Sequence, residues 1–264
     1  MKIGFIGAGN MGGAILHGLI SGGFRGGDIL VYDKDSAKLM QLFEDCGIVI
    51  ASDEDEVAKQ ADAVVFAVKP QALSSLLPRL APTLCRRSPL VISIAAGKTL
   101  AWVSRLIGDD LPIVRVMPNI AAKVGEGMSA FCANEYADES HKKVVRAIFE
   151  AVGEVIELDE HLFSAFTAIA GCSPAFTLMY IDTLAQAGVR YGIPKEAAHK
   201  IAAQSVLGTT RLWQESGEHP RFLADKVCSP GGTTIEGVCT LQKYGFENAV
   251  LEAVRASYEK DEKL

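Results

Sequence analysis

The feature that most constrains this chain is a glycine-rich turn, Gly7-Ala8-Gly9-Asn10-Met11-Gly12, set directly behind a short apolar run, Ile3–Ile6. Between a strand and a helix the three glycines have separate uses. Gly7 permits a tight turn, Gly9 lets backbone approach a pyrophosphate, and Gly12 lets helix pack on strand. The N–H groups that open the next helix have no intrahelical acceptor and would face the phosphates. Without a ligand the same residues would be an ordinary turn. The strand before, the helix after and an acid about 20 residues on favour the dinucleotide.

That acid is Asp33, at the end of the second apolar run. A carboxylate there accepts from the ribose 2′-hydroxyl of NAD and repels the 2′-phosphate of NADP. The adjacent Lys34 is placed to pair with that phosphate, and Asp33 or Asp35 would serve equally as the N-cap of the next helix. These residues leave NAD and NADP both open.

The rest of the first half fits the turn. Ile29–Val31, Ala63–Val68, Leu90–Ile94 and Ile113–Val116 are short runs rich in Val and Ile, as in parallel strands covered on both faces. Amphipathic stretches lie between them at Met11–Ile20, Ser36–Cys46, Asp55–Gln60 and Gln71–Leu80. The alternation predicts a Rossmann-like, doubly wound α/β sheet. Ser129–Ala133 and Glu154–Ile156, flanking a helical pattern over 139–151, extend it. Ligands of such sheets sit beyond the carboxyl ends of the strands. That edge carries Ala67-Val68-Lys69-Pro70 and Ser93-Ile94-Ala95-Ala96-Gly97, whose small side chains let a nicotinamide or ribose lie against backbone.

After about Asp159 the strand pattern stops. Helical patterns follow near 161–170, 174–191, 195–215, 222–227, 232–243 and 246–260, broken by Gly and Pro. The expectation is a dinucleotide-binding domain over 1–158 and an all-α domain over 159–264. Helices 174–191 and 195–215 are apolar around much of their circumference, with Phe176, Leu178, Met179 and Ile181 in one and Ile201, Val206 and Leu207 in the other. A surface helix has a single apolar stripe. A second copy of the chain is the natural cover, which predicts a homo-oligomer.

Composition excludes other classes. The net charge is −6 and basic runs stop at pairs such as Arg86-Arg87, so neither a nucleic-acid surface nor a polybasic membrane patch is expected. The six cysteines form no C-x-x-C pair and no metal-finger spacing with histidine, so no metal site is expected. The chain runs from Met1-Lys2 straight into Ile3–Ile6, too short and glycine-rich for a signal peptide, and its longest apolar run, Ala63–Val68, is far short of a membrane span. The expected compartment is the cytoplasm.

In the helical half, Ser229-Pro230-Gly231-Gly232-Thr233-Thr234 offers glycines, hydroxyls and free N–H groups ahead of a helix. Such a loop holds a carboxylate without a charged side chain, although Ser or Thr with Glu236 nearby is also a plain helix cap. Taken together, Gly7–Gly12, Ala67–Pro70, Ser93–Gly97, Met117-Pro118-Asn119, Glu215–Pro220 and Cys228–Thr234 resemble pyrroline-5-carboxylate reductase, in order along the whole chain. The resemblance implies reduction of a cyclic imine, 1-pyrroline-5-carboxylate, to L-proline by NADPH or NADH, the last step of proline biosynthesis. It also implies a helical domain that interlocks two subunits, giving a homodimer or a ring of dimers.

Carried over by residue, the resemblance puts the dinucleotide phosphates on Gly7, Ala8, Gly9, Asn10, Met11 and Gly12. It puts the ribose and nicotinamide on Val68, Lys69, Pro70, Ala95 and Ala96, with Met117 and Asn119 lining the nicotinamide pocket. The substrate carboxylate falls to Ser229, Gly231, Gly232, Thr233 and Thr234, with the Thr234 hydroxyl nearest the imine nitrogen as the candidate catalytic group. Two positions depart from the family. Gly171-Cys172-Ser173-Pro174-Ala175 replaces Gly-Ser-Gly-Pro-Ala, and Glu54 stands where an Asn near the adenosine is common, which makes a 2′-phosphate less welcome.

Imine reduction demands no strong general acid, because a cyclic imine is partly protonated near neutrality. Orientation of the two reactants supplies roughly 7–11 kcal/mol. Three other readings compete. A β-hydroxyacid dehydrogenase needs a Lys one turn after Gly171–Ala175, where this chain has Phe176-Thr177-Leu178-Met179. A non-catalytic dinucleotide sensor would not need the Ser229–Thr234 block. A reductase of a related cyclic imine stays open.

Overall fold

The computed structural model describes residues 1–108 and 110–263. Its strands are β1 (Ile3–Ile6), β2 (Ile29–Tyr32), β3 (Val49–Ile50), β4 (Ala63–Phe66), β5 (Leu90–Ser93), β6 (Ile113–Met117), β7 (Gly127–Ala133) and β8 (Gly153–Glu157). They form one sheet in the order β3-β2-β1-β4-β5-β6-β7-β8. The strands β1 to β6 run parallel, β7 is antiparallel to β6, and β8 is parallel to β7. Order reverses between β1 and β4, and Ile6 is level with both Tyr32 and Phe66, so three strands end together at the switch point. Open α/β sheets bind ligands at such a point.

The helices are α1 (Asn10–Ser21), α2 (Ser36–Cys46), α3 (Glu54–Gln60), α4 (Pro70–Arg87), α5 (Leu100–Ile107) and α6 (Glu139–Glu150), then α7 (Phe163–Phe166), α8 (Ser173–Arg190), α9 (Lys195–Ser216), α10 (Pro220–Val227), α11 (Thr233–Lys243) and α12 (Phe246–Asp261). Alternate residues of each strand feed opposite layers. Ile3 and Phe5 pack with Leu16 of α1, Leu42 of α2 and Phe149 of α6. Ile6 packs with Val57 of α3, Leu77 of α4 and Val103 of α5. Both faces are dry, which is why the strands read as continuous apolar runs.

Several details differ from the sequence expectation. The two-residue edge strand β3 and the helix α5 carry too little periodic signal to stand out, although Thr99 Oγ1 caps α5 by accepting from the Trp102 N–H at 3.1 Å. Helix α4 runs to Arg87 through Pro78 and Pro82, beyond the expected end at Leu80. Both prolines face solvent, where freed carbonyls meet water, while Leu73, Leu76, Leu77, Leu80 and Leu84 hold a continuous buried stripe. That stripe outweighs a local cost of about 3 kcal/mol per proline.

By packing, the chain divides into Met1–Gly171 with Asp261–Leu264, and Cys172–Lys260. The change of pattern at 158/159 therefore precedes the packing boundary. Phe163 and Phe166 bury themselves with Ala130 and Cys132 of β7. Arg115 of β6 pairs with Glu160 Oε1 at 3.1 Å, and its guanidinium lies 4.5 Å over the Phe163 ring. Glu160 Oε1 also accepts the Leu100 N–H at 2.7 Å. These contacts make residues 159–171 part of the sheet unit.

The helical unit has almost no interior of its own. Its buried cluster is Ala185, Ala198 and Ala202, with Ile181 and Ile193 against it. Leu178, Met179 and Leu251 are each about two-thirds exposed. The helical stretch 160–190 has a mean hydropathy of 1.5 over a window only 17% buried, long and apolar enough by composition to cross a membrane. Such a surface needs a cover.

The anchoring of 159–171 has a measurable consequence. Replacing Phe163 by Ala removes a ring that is 1% exposed. It should destabilise the sheet unit by about 3–5 kcal/mol, read as a lower midpoint in denaturant unfolding; an unchanged midpoint would show that the segment does not belong to that core.

Candidate active site

At the switch point the loop after β1 turns against the loop after β4. Gly7 sits at φ +102°, and a Cβ on it would lie 2.6 Å from the Ala67 carbonyl oxygen. A Cβ on Gly12 would meet the Gly7 oxygen at 2.6 Å. A Cβ on Gly9 would meet nothing within 4 Å, because that position opens on free space. Gly9 is the N-cap of α1, and no side chain caps the first turn. Uncapped N–H groups facing a space kept clear of side chains form an anion cradle, so the residues present fit a dinucleotide pyrophosphate.

Asp33 has a different task from capping. Its Oδ2 accepts the Ala8 N–H at 2.6 Å and its Oδ1 accepts the Asp35 N–H at 2.9 Å. Asp35 is the cap of α2, accepting from the Ala37 and Lys38 N–H groups at 3.1 and 3.3 Å. Those bonds, with the Lys38 ammonium close by, hold the Asp35 carboxyl below its usual range, the Lys38 side chain being the main cause. Asp33 thus pins the glycine loop at the mouth of a cleft of ≈ 360 Å³ that Lys34, Val68 and Lys69 also line. Glu54 lines it too, but its carboxylate pairs with Arg79 Nη2 at 3.1 Å, which offsets the charge it would turn on a 2′-phosphate.

The β4 and β5 edges deliver their residues to the same side of the sheet. Pro70 stands at the start of α4, behind Lys69 as its N-cap. Ala95 is buried and Ala96 is exposed beyond the end of β5, where the chain turns at Gly97. Met117 closes β6. Asn119, expected to line the nicotinamide pocket, has its amide engaged within the protein. Oδ1 accepts the Ala121 and Met128 N–H groups, each at 3.2 Å, and Nδ2 donates to the Ala170 carbonyl at 3.0 Å.

Two groups escaped sequence reasoning. Lys38 and Lys123 line a second cleft against Gly9 and Asn10, on the other flank of the α1 N-terminus. Lys38 had a local signal, one turn into a helix that starts beside the glycine loop. Lys123 had none, since only tertiary folding brings the segment after β6 to α1.

In the helical unit Gly231 takes φ +67° and Gly232 is the N-cap of α11, again with no side-chain cap. The Gly232 N–H donates to the Ser229 carbonyl at 3.0 Å, and a Cβ on Gly232 would collide with the Ser229 hydroxyl. The plain-cap alternative therefore does not describe this loop. Ser229, Thr233 and Thr234 are exposed, and the N–H groups of the first turn of α11 are free to take an anion. Ahead of it, Lys226 bonds both Glu218 carboxylate oxygens at 2.9 and 2.7 Å, bracing the turn that leads in.

The thiols are ordinary. All six are free, and burial pushes the Cys132 thiol up to about 12. Among the described residues no group of three or more His, Cys, Asp or Glu side chains could hold a metal ion.

Comparison with known proteins agrees with this geometry. Residues 160–264 match the family described as "Pyrroline-5-carboxylate reductase dimerisation", and residues 2–97 match "NADP oxidoreductase coenzyme F420-dependent". The pyrroline-5-carboxylate reductase of Escherichia coli is 44% identical over 264 residues, covering 100% of this chain and 98% of its own. The solved pyrroline-5-carboxylate reductase of Coxiella burnetii superposes with a TM-score of 0.95 at 33% identity, covering 99% and 97% of the two chains. That of Plasmodium falciparum, solved with NADP bound, gives 0.87 at 32% identity over 99% and 97%. With full-length relatives at this identity and both halves matched, the chain belongs to the pyrroline-5-carboxylate reductase family.

Proposed function

We propose that this chain reduces 1-pyrroline-5-carboxylate to L-proline with a hydride from NAD(P)H, the last step of proline biosynthesis, and works in the cytoplasm. The observation that carries the reading is the pair of uncapped helix N-termini, α1 behind Gly9 and α11 behind Gly232. One suits a pyrophosphate and the other a carboxylate, the anionic groups of the two reactants.

When bound, NAD(P)H supplies a hydride to the imine carbon. The chain's own residues do the rest. Gly7 to Gly12 hold the phosphates, with Asp33 fixing the loop and Lys34 at its edge. Val68, Lys69, Pro70, Ala95, Ala96 and Met117 bed the ribose and nicotinamide. Ser229 and the N–H groups of Gly231 to Thr234 hold the substrate carboxylate. The Thr234 hydroxyl donates a proton, or relays one from water, to the imine nitrogen as the carbon takes the hydride, so that one C–H and one N–H bond replace the C=N π bond. The helical unit's exposed apolar helices dimerise with those of a second copy, and rings of such dimers are the larger assembly.

The primary test is steady-state oxidation of NADH and NADPH, side by side, with 1-pyrroline-5-carboxylate and its six-membered homologue. Turnover is expected with the five-membered imine, and the ratio of the two cofactors reads out the balance of Asp33 and Lys34. Dinucleotide binding without turnover of either imine would favour a sensor instead, and a preference for the larger ring would favour the related imine reductase.

Two substitutions separate the anchors. Thr234→Ala should lower kcat/KM by about 10²-fold while dinucleotide affinity stays near wild type; equal loss of both would refute the division of labour. Gly9→Val meets no protein atom but fills the cradle. It should abolish dinucleotide binding in a fluorescence titration while circular dichroism and the melting transition are retained. Unchanged affinity would remove Gly9 from the phosphate site.

A further inference from the structure

We infer that Asn119 is a positioning residue that replaces a backbone donor missing at the junction of the two units. The segment Thr167–Gly171 is a π-helical turn, the last of the sheet unit, and the chain enters the helical unit at Cys172. In an α-helix the Ala170 carbonyl would accept the N–H of residue 174. That residue is Pro174, which has none. The next N–H along, that of Ala175, is already given to the Cys172 carbonyl at 3.0 Å. The Asn119 amide supplies the donor instead, Nδ2 to the Ala170 oxygen at 3.0 Å.

The surroundings fix which way the amide points. Its other side faces two N–H groups, of Ala121 and Met128, so that side must be the oxygen. One side chain therefore ties together the end of β6, the start of β7 and the π-turn. Gly171 adds to the contact, since a Cβ there would lie 3.6 Å from the Met117 methyl. The tied turn sits at the carboxyl edge of β6, the ligand side of the sheet. A π-turn inside a helix is costly unless something else satisfies its freed groups, and such turns cluster at functional sites.

The consequence for catalysis rests on the reading above, in which the nicotinamide lies along the carboxyl edges of β4 to β6, beside this turn. Hydride transfer is sensitive to placement, and a shift of about 1 Å costs up to ~10²-fold. Asn119 acts on that placement through the turn and not through contact with the dinucleotide.

Asn119→Asp is the informative variant. It keeps an oxygen for Ala121 and Met128 but sets a second oxygen against the Ala170 carbonyl. The expected result is faster amide hydrogen exchange in peptides covering 167–175, unchanged exchange in β1 and α1, and a fall of about tenfold or more in kcat with dinucleotide affinity near wild type. Pro174→Ala restores an N–H at the position an α-helix would use. In a double-mutant cycle measured against Pro174→Ala alone, it should recover part of the loss caused by Asn119→Asp. Unaltered exchange at 167–175 would overturn the inference. So would a loss of dinucleotide affinity equal to the loss in kcat, which would make Asn119 a cofactor contact. Should Asn119→Asp fail to fold, Asn119→Ser in the same cycle gives the same two readouts. The exchange measurement needs no substrate, so failure of the imine assay in the wild type would leave it standing as an independent test.

Discussion

The structure depends on one close approach, Gly7 against the Ala67 carbonyl at the point where strand order reverses. A side chain at Gly7 would push the loops after β1 and β4 apart, and with them the crevice that ligands of this fold occupy. The turn also brings the Ala8 N–H onto Asp33, so a carboxylate at the end of β2 holds the loop in place. Because Asp35 does the capping of α2 and nothing caps α1, the free N–H groups of α1 stay directed at open space. Tight packing beneath the loop and emptiness above it come from the same three glycines.

Much of this was legible in the sequence because the strands are buried on both faces and the glycines have stereotyped duties. Parallel β1, β2, β4, β5 and β6, the helices α1 to α4 and the all-α half follow from apolar runs, periodicity and Gly/Pro breaks. What escaped was set by tertiary context. The reversal of β7 depends on the short excursion through 120–124 that Asn119 caps, and no periodicity encodes strand direction. The extension of α4 through two prolines depends on which face they occupy. Asp33 and Asp35 could not be told apart as caps, because either side chain reaches the start of α2. Asn119 read as a pocket residue from its place in a motif. The partners of its amide, which no motif reveals, lie two residues ahead at Ala121, nine ahead at Met128 and fifty-one ahead at Ala170.

The helical unit poses the opposite problem to the sheet. Three alanines are a poor core for some ninety residues, and a domain of that size ordinarily buries about 60% of its chain surface or more. The match of residues 160–264 to a dimerisation family accounts for the deficit, since surface exposed in one copy is interior in two. It also accounts for the membrane-like hydropathy of 160–190: a helix apolar on several faces suits lipid or protein cover equally by composition, and the dimerisation match favours protein.

On the proposed reading, the two halves solve one electrostatic problem in one way. A pyrophosphate and a carboxylate must each be held without a strongly charged pocket, which would favour any anion and hold it too long. Helix N-termini supply partial positive charge and directed N–H donors, roughly half an elementary charge each, and glycine caps keep side chains from competing for those donors. On the same reading, the loops that border the nicotinamide bed have to be placed precisely. Asn119 meets that demand better than a free loop would, since its three hydrogen bonds fix three different segments and one of them is the π-turn. On that reading the Met-Pro-Asn segment serves the nicotinamide edge through the geometry that Asn119 imposes on the π-turn beside β6.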